Sequence, residues 1–513
     1  MATLSIATIL AESAVRHADR TAVVMGPSRT TYAELWADAR RYAAALRDAA
    51  GIGPGDKVAV LIPNVPDFPK TYFGVLALGG VVVPVHALLK AEEIAYVLED
   101  SGAKALVCAG PLLGEGAKGA ELANVPVLTV LGSGDAGLPA LDALAKEATP
   151  VETYVQREPT DDAVILYTSG TTGKPKGAVL SHYNVVMNVT VSSFDVIGIS
   201  PDDVILGCLP LFHSFGQTCA MNAGFRAGAT LVLMPRFEGP AALDALSGYG
   251  VTVFEGVPTM YIALLEAARG SDPSTLPQLR IAVSGGASLP MAVMDKWRET
   301  FGSEIYEGYG LSETSPVATF NQELIGRKPG TVGTPIWGVD VEIAKAEVED
   351  RIELVGTGDI GEVVIRGHNV FTGYLNNEAA TRAAIVDGWF RSGDLGTKDE
   401  DGFISIVDRK KDMVLRGGFN VYPREVEEVL LRHPAIAQVA VIAVPDETHG
   451  EEVCAVVVRS PEGADVSSQE IVDWSKGQLA AYKYPRVVHF VDAFPLGPSG
   501  KVLKRELVAQ FAG

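Results

Sequence analysis

The segment SGTTGKPKG (169–177) combines glycines, hydroxyl side chains and two lysines directly after an apolar stretch. A loop of this composition can direct backbone N–H groups, hydroxyls and the Lys176 ammonium at phosphate oxygens. The spacing differs from GxxxxGK[ST], because Gly170 and Gly173 are only three residues apart and Pro175 follows the first lysine. These residues therefore favour binding of a triphosphate by a protein outside the P-loop NTPase class.

Four further segments carry side chains that suit the rest of a nucleotide. EGYGLSET (307–314) offers an aromatic face for a purine and a carboxylate for Mg²⁺, which prefers carboxylate, hydroxyl and phosphate oxygens. WFRSGDLG (389–396) and DRKKD (408–412) supply an acid and a base, and a carboxylate accepts well from two vicinal hydroxyls. PLGPSGKVLKREL (495–507) holds a lysine whose ammonium, if positioned, can stabilise developing negative charge. Each segment alone is weak, and their order along one chain makes the combination specific.

In this order, the segments resemble the motifs of the adenylate-forming superfamily of acyl-CoA synthetases, luciferases and peptide-synthetase adenylation domains. The resemblance runs from about residue 20 to the end of the chain. It implies an ATP-dependent carboxylate:CoA ligase, which first makes acyl-AMP and pyrophosphate and then transfers the acyl group to the thiol of coenzyme A. The implied cofactors are ATP, Mg²⁺ and coenzyme A, and the implied partner is a small carboxylic acid.

The resemblance also assigns roles to single residues. Lys501, His213 and Glu313 are the implied catalytic residues: Lys501 bridges the carboxylate and the α-phosphate, and His213 stands beside the carboxylate entrance. Thr168 and Glu313 are the implied Mg²⁺ ligands. The implied contacts of ATP or AMP are Thr168, Ser169, Gly170, Thr171, Thr172, Gly173, Lys176, Gly286, Ala287, Glu307, Gly308, Tyr309, Gly310, Ser312, Asp394, Arg409 and Lys501. The implied acyl pocket consists of His213, Phe215, Phe254, Val257, Gly285 and Gly308.

For the second half-reaction, the resemblance implies that a small C-terminal domain rotates about a hinge at Lys411. RGGFNVYP (416–423) and AYKYPR (481–486) then form the surface that meets coenzyme A, because glycines permit close approach and cations can meet its phosphates. The implied contacts of coenzyme A are Gly417, Gly418 and Lys483.

The identity of the acid rests on fewer residues. No aspartate in LFHSFGQ stands ready for an amino group, Gly308 replaces the arginine of malonate-type ligases, and Phe215 replaces a tyrosine that is usual in hydroxycinnamate ligases. The segment VTVFEGVPTMYIALL (251–265) is largely apolar, and DRKKDMVLRGGFNVYPREVEEVL resembles bacterial fatty acyl-CoA ligases. We therefore expect a medium- to long-chain fatty acid. An aryl- or cinnamate-type CoA ligase and a stand-alone adenylating enzyme for a carrier protein remain the alternatives.

Short β-branched runs alternate with Ala-rich helical stretches as far as about residue 330, which predicts βα layers. The fold class is thus α/β: a large N-terminal body over 1–407, with a β-rich subdomain at about 331–407. A hinge at 408–411 and a small, mobile α+β domain over 412–513 follow. The phosphate loop is expected between the strand DAVILYTS and a helix that starts at AVLSHYNVVMN.

The composition of the chain restricts which binding partners and which cellular compartment we expect. A net charge of -21 disfavours nucleic acid and anionic lipid surfaces, so an anionic substrate needs a local basic patch. Four cysteines without metal-ligand spacing predict free buried thiols and a cytoplasmic location. The uncharged run from Thr71 to Leu89 predicts a buried helix and a core strand, not stable membrane insertion. The expected state is a monomer or a homodimer.

Overall fold

Short buried strands alternate with amphipathic helices along most of the chain, as the sequence predicts. The computed structural model describes residues 3–132, 137–168, 174–497 and 502–512. The strands are β1 Thr21–Met25, β2 Ser28–Thr31, β3 Lys57–Leu61, β4 Val81–Pro84, β5 Ala105–Ala109, β6 Val127–Val130, β7 Asp162–Thr168, β8 Lys176–Ser181, β9 Val204–Gly207, β10 Thr230–Leu233, β11 Val253–Gly256, β12 Ile281–Ser284, β13 Ile305–Gly310, β14 Val317–Phe320, β15 Thr334–Pro335, β16 Val339–Ala344, β17 Gly361–Gly367, β18 Gly373–Tyr374, β19 Ile385–Val386, β20 Trp389–Lys398, β21 Ile404–Arg409, β22 Val414–Arg416, β23 Phe419–Val421, β24 Ile436–Asp446, β25 Gly450–Arg459 and β26 Val487–Phe490. The helices are α1 Ala7–Arg16, α2 Tyr32–Ala50, α3 Asp67–Ala77, α4 Ala91–Ser101, α5 Leu113–Leu122, α6 Leu141–Glu147, α7 His182–Val191, α8 Ala223–Ala227, α9 Gly239–Gly248, α10 Pro258–Ala267, α11 Met291–Phe301, α12 Glu378–Ala384, α13 Pro423–Leu430, α14 Ser468–Lys476 and α15 Lys504–Phe511.

The predicted βα layers form two large mixed sheets. One has nine strands in the order β15-β14-β13-β12-β11-β9-β10-β1-β2, and the other has seven in the order β18-β8-β7-β4-β3-β5-β6. The inner strands of both sheets are parallel, whereas β2, β14, β15, β8 and β18 join their neighbours in antiparallel pairs. One hydrophobic core cluster contains buried residues from both sheets, which is the α/β class that the sequence predicts.

The element after the phosphate loop differs from the sequence expectation. Residues Lys176–Ser181 form β8, which pairs antiparallel with β7 so that Lys176 lies opposite Thr168. The prediction of a helix from Ala178 is wrong, because Gly177 to Ser181 are buried and complete the sheet. Helix α7 begins only at His182, where a capping box between the Ser181 side chain and Asn184 fixes its start.

Two smaller sheets follow. Strands β16, β17, β19, β20 and β21 form an antiparallel sheet that confirms the predicted β-rich subdomain. Strands β22 to β26 form the last sheet, on which α13, α14 and α15 pack in the small α+β domain. The third sheet ends at Arg409 and the fourth begins at Val414. The predicted hinge at 408–411 lies at this junction, and its motion stays a prediction.

Several minor expectations can be checked directly. The run from Thr71 to Leu89 contains most of α3 and all of β4, both largely buried, which confirms the helix-then-strand prediction. Among the described residues, no helix is long and apolar enough to span a bilayer. All four cysteines are free and buried, as expected: Cys108, Cys208, Cys219 and Cys454.

The β-rich subdomain depends on a buried ion pair beside the site. Arg391 and Glu362 are both almost fully buried, and the Arg391 Nε lies 3.0 Å from the Glu362 Oε2. The other oxygen of Glu362 accepts the N–H of Gly393 at 3.0 Å, next to Asp394. Removing one member of such a pair leaves an uncompensated charge in the interior.

We predict that Arg391→Met lowers the free energy of unfolding by about 3–5 kcal/mol, measured by chemical denaturation. The matched control is Arg366→Met in the same sheet, because the Arg366–Asp340 pair at 2.8 Å is exposed and should contribute less than about 1 kcal/mol. Similar losses in the two variants would contradict the assignment of a structural role to the buried pair.

Candidate active site

The ends of two strands from different sheets meet at Glu313. Thr168 ends β7, and Glu313 lies in the helical turn Ser312–Thr314 that follows β13. The Thr168 hydroxyl donates to the Glu313 Oε1 at 3.3 Å, and the Tyr374 hydroxyl donates to the same oxygen at 2.9 Å. Glu313 is buried. The two residues that the resemblance assigned to Mg²⁺ are thus brought together.

Tyr374 is a site residue that the sequence analysis missed. Its strand, β18, pairs with β8, which carries Lys176. The Lys176 Nζ lies 5.1 Å from the centre of the Tyr374 ring, within cation–π range. Burial, followed by the charge of Glu313, raises the pKa of Tyr374, so its hydroxyl keeps its proton and donates. A GY dipeptide is no signal by itself, because only strand pairing brings it to the phosphate side.

The predicted ribose and adenine residues also converge. Asp394 and Arg409 are cross-strand neighbours on β20 and β21, with the Arg409 Nε 3.2 Å from the Asp394 Oδ1. The Tyr309 hydroxyl donates to the other oxygen of Asp394 at 2.7 Å. Burial and the charge of Asp394 raise the pKa of Tyr309 well above its usual value. An acid, a base and an aromatic ring therefore form one rigid group.

These residues open on a cavity of about 1410 Å³ between the nine-stranded sheet, the β-rich subdomain and the C-terminal domain. Its volume exceeds the roughly 300–1,000 Å³ of a usual ligand pocket. Predicted site residues in its lining are Val257, Gly286, Ala287, Gly308, Tyr309, Gly310, Asp394, Arg409 and Lys411. The C-terminal domain contributes Arg424, Glu427 and Lys504, and the Lys504 Nζ lies 2.7 Å from the Glu427 Oε1.

The chain can now be compared with known proteins. Residues 10–375 match the family model described as AMP-binding enzyme, and residues 425–501 match that of the AMP-binding enzyme C-terminal domain. The chain belongs to the AMP-binding enzyme family. It is 34% identical to a long-chain-fatty-acid–CoA ligase of Bacillus subtilis over 534 residues, covering 99% of this chain and 94% of that protein. It is 37% identical to a feruloyl-CoA synthase of Amycolatopsis sp over 494 residues, covering 96% of each.

Solved structures of related ligases have the same fold as this chain. ATP-bound MatB from Rhodopseudomonas palustris superposes with a TM-score of 0.89 at 34% identity, with 99% of both chains covered. The protein is therefore an AMP-forming acid–CoA ligase with the fold of that family. The relatives differ in the acid that their names state, so the family leaves both fatty acids and aryl acids as substrates to consider.

The backbone fits close approach at the glycines that were predicted to contact the nucleotide. Gly286 has φ +79°, and a Cβ at Gly310 would lie 1.7 Å from the Pro316 carbonyl oxygen. Glu307 is buried and accepts the N–H of Leu289 at 3.2 Å, and burial raises its pKa to about 7. Glu307 thus holds the loop that carries Gly286, which is a supporting contact for the predicted nucleotide site.

On the acyl side, Phe215 covers Gly285. A Cβ at Gly285 would lie 3.3 Å from the Phe215 ring and 3.5 Å from the Gly308 carbonyl oxygen. The Phe215 N–H donates to the His213 Nδ1 at 3.2 Å. The neighbouring hydroxyls of Ser214 and Ser312 lie 3.4 Å apart, which links this segment to the Glu313 turn. The predicted residues His213, Phe215, Gly285 and Gly308 therefore form one group.

The structure corrects the assignment of Phe254. It was expected in the acyl pocket, but its ring is fully buried against Tyr261 and Trp297, in the core beneath α10 and α11. Phe254 lies outside the expected pocket because successive side chains of β11 point to opposite faces of the sheet. The residue on the opposite face is Glu255, which is fully buried. This acid lies inside the segment 251–265, which is otherwise largely apolar, and it was not among the predicted site residues.

Some assignments lie beyond these contacts. Residues 169–173, which contain Ser169, Gly170, Thr171, Thr172 and Gly173, and Lys501 fall outside the part of the chain that the structure describes, so their roles stay predictions. The predicted coenzyme A contacts Gly417 and Gly418 have φ +56° and +84°. The third, Lys483, is already paired with Glu425, with its Nζ 2.5 and 2.7 Å from the carboxylate oxygens.

The donors at Glu313 fit the implied magnesium ion. A buried carboxylate and a threonine hydroxyl 3.3 Å apart are hard oxygen donors, which Mg²⁺ prefers together with phosphate oxygens. The Tyr374 hydroxyl fixes one carboxylate oxygen and leaves the other available. Mg²⁺ binding at Thr168 and Glu313 therefore stays a prediction that the local chemistry supports.

We predict that Tyr374→Phe weakens MgATP binding about 5- to 10-fold, because it removes a hydrogen bond to Glu313 but keeps the ring against Lys176. Tyr374→Leu removes both contacts and should weaken binding further. The measurement is calorimetric titration of ATP with and without Mg²⁺. Tyr183→Phe, on exposed α7 surface, is the control. An unchanged affinity in Tyr374→Phe would rule out this positioning role.

Proposed function

We propose that this ligase activates a medium- to long-chain fatty acid with MgATP and passes the acyl group to coenzyme A. The observation that carries the nucleotide chemistry is the convergence of Thr168 with Glu313 and of Tyr309 with Asp394 and Arg409 on one side of the protein. Support for the fatty acid comes from the apolar residues Val257, Ile262 and Leu265, which line the cavity, and from the Bacillus subtilis relative, whose name states a long-chain fatty acid.

In the first half-reaction, Asp394 accepts the ribose hydroxyls while Arg409 and the Tyr309 hydroxyl hold its carboxylate in place. The Tyr309 ring stacks on adenine, and the loop of Gly286 and Ala287 approaches its edge. Bound Mg²⁺ would neutralise charge on the phosphate oxygens. Lys501 supplies the cation that stabilises charge on the carboxylate and the α-phosphate as acyl-AMP forms.

In the second half-reaction, the C-terminal domain turns at 408–411 and replaces Lys501 by the surface of Gly417 and Gly418. The positive φ of both glycines, and the open space around the Cβ position of Gly418, support a close approach of pantetheine. We propose Lys411, which lines the cavity at the junction, as the residue that absorbs the rotation.

An aryl acid is the second candidate, and Glu255 favours it. A purely alkyl chain offers nothing to a buried carboxyl group, whereas many aryl acids carry hydroxyl groups. The feruloyl-CoA synthase relative is consistent with this choice. A stand-alone adenylating enzyme for a carrier protein is the remaining alternative, and it would turn over without coenzyme A only up to acyl-AMP.

The deciding experiment is pyrophosphate release with MgATP over a panel of acids from acetate to palmitate, with benzoate, coumarate and malonate, each with and without coenzyme A. Turnover that rises with alkyl length and requires coenzyme A would support the fatty acyl-CoA ligase. A preference for aryl acids would move the assignment to the second candidate, and adenylation without acyl transfer to coenzyme A would contradict both.

We further propose a cytoplasmic location, which the four free buried cysteines support. A monomer or a homodimer is the proposed state, and sedimentation of the purified protein would distinguish them.

We predict that Lys501→Ala lowers the rate of adenylation by about 10²–10³, because it removes a cation that acts most strongly in the transition state. Transfer from chemically supplied acyl-AMP to coenzyme A should stay near the wild-type rate. Lys476→Ala, on the exposed end of α14, is the control. Equal losses in the two half-reactions would contradict the role of Lys501.

A further inference from the structure

The carboxyl group of Glu255 has no role in the contacts described so far. It is fully buried, and neither carboxylate oxygen has a hydrogen-bond partner among the residues that the structure describes. Burial raises its pKa to about 8, so the group is mostly protonated at neutral pH and holds one O–H donor and one acceptor. A buried polar group left without a partner is costly, so its presence calls for a partner that arrives from outside.

The register of the nine-stranded sheet locates this carboxyl group. Glu255 on β11 pairs with Val283 on β12, and Gly285 follows Val283 by two residues toward the cavity. Val253, Ile281 and Val283 belong to the inner core cluster, on the face opposite Phe254. Because side chains two residues apart share a face, Glu255 points to this inner side. It lies roughly 7 Å deeper along the sheet than Gly285.

The opposite wall is the π-helix Phe215–Asn222. Its first residue, Phe215, covers Gly285. One turn further in, Cys219 is buried, and the neighbouring Ala220 and Met221 share a core cluster with Val253 and Val283 of the sheet. An acid whose carboxylate lies beside His213 would reach Glu255 by extending past Gly285 and Phe215, between the sheet and the π-helix.

We propose that Glu255 is a specificity-determining residue that binds a hydroxyl group at the end of the acyl group far from its carboxylate. This inference rests on the proposed acyl-CoA ligase function and narrows its substrate class. The carboxyl O–H donates to the substrate oxygen and the carbonyl oxygen accepts the substrate O–H. A phenol on an aryl acid and a hydroxyl on an alkyl chain share this chemistry.

The expected size of the effect follows from leaving the carboxyl group unpaired. A site built to bond a hydroxyl discriminates strongly against the analogue that lacks it, whereas an apolar pocket barely separates the two. We expect the ligase to favour the hydroxylated member of a matched pair by about 10- to 100-fold in kcat/KM.

The test uses two matched pairs of acids: cinnamate with 4-hydroxycinnamate, and octanoate with 8-hydroxyoctanoate. For each, kcat/KM for CoA-dependent pyrophosphate release is measured in the wild type, Glu255→Leu and Glu255→Gln. Preference for the hydroxyl should disappear or reverse in Glu255→Leu and persist in part in Glu255→Gln, because an amide still donates and accepts. The pair that shows the preference identifies an aryl or an alkyl source.

The control is Phe254→Leu, on the same strand but the opposite face. It should lower stability and leave the preference for the hydroxyl unchanged. A wild type that is indifferent to the hydroxyl in both pairs, or a Glu255→Leu variant that keeps the wild-type preference, would overturn the proposal.

Ligand-induced shifts of the melting temperature give the same comparison without turnover. Larger shifts with the hydroxylated acids in the wild type, lost in Glu255→Leu, would support the role of Glu255 even if coenzyme A proved not to be the acceptor. Absence of any coenzyme A-dependent turnover would instead count against the proposed function. Should Glu255→Leu not fold, the wild-type preference and Glu255→Gln still decide the question.

The burial of this carboxyl group can be checked separately by pH. The folded pKa near 8 lies above the unfolded value of 4.5, so the folded state binds more protons between these limits and stability falls as pH rises through them. The titratable groups around it, Cys208, Cys219 and Tyr261, have raised pKa values and stay neutral in this range. The melting temperature of Glu255→Gln should therefore rise relative to that of the wild type from pH 5.5 to pH 8. A constant difference would mean that the carboxyl group has a partner.

Discussion

The carboxylate of Glu313 ties the two large sheets together at the site. It follows β13 of the nine-stranded sheet, yet its hydrogen-bond donors come from β7 and β18 of the seven-stranded sheet. Tyr374 extends the link to Lys176, whose strand leads out of the phosphate loop. The phosphate side of the site therefore exists only when both sheets are packed, which explains why no single βα unit contains it.

Three buried acids in this chain show how environment decides the role of one side-chain type. Glu362 is paired with Arg391 and holds the backbone beside Asp394, so its charge is compensated. Glu307 has one backbone donor, and burial leaves its pKa near neutrality. Neither carboxylate oxygen of Glu255 has a hydrogen-bond partner among the described residues, and burial raises its pKa to about 8. The first two stabilise the fold around the predicted nucleotide site, whereas the third is the acid that we propose a bound substrate satisfies.

Sequence reasoning succeeded where a function is carried by neighbours in the chain. The motifs around Tyr309, Asp394 and Arg409 are short, and each of these strands brings its residue to the same cavity. The sequence did not predict the roles of residues whose position depends on which face of a sheet they occupy or on pairing between strands that are distant in the chain. Phe254 and Glu255 are adjacent in an apolar segment, and only the packing of the sheet shows which one faces the inner side. Tyr374 reaches Glu313 through the pairing of β18 with β8, which no local pattern announces.

The wall of the cavity at the domain junction carries equal numbers of basic and acidic side chains, so its charge is balanced although the chain as a whole is acidic. A net charge of -21 repels nucleotides at long range, so attraction must be local. The cavity gathers Arg409, Lys411, Arg424 and Lys504 from both sides of the junction, close to Asp394 and Glu427. Arg409 and Lys504 are each held by one of these carboxylates. Because half of these cations belong to the C-terminal domain, its position sets the charge that the bound nucleotide meets. A rotation of that domain would therefore change the electrostatics of the site at the same moment as its geometry.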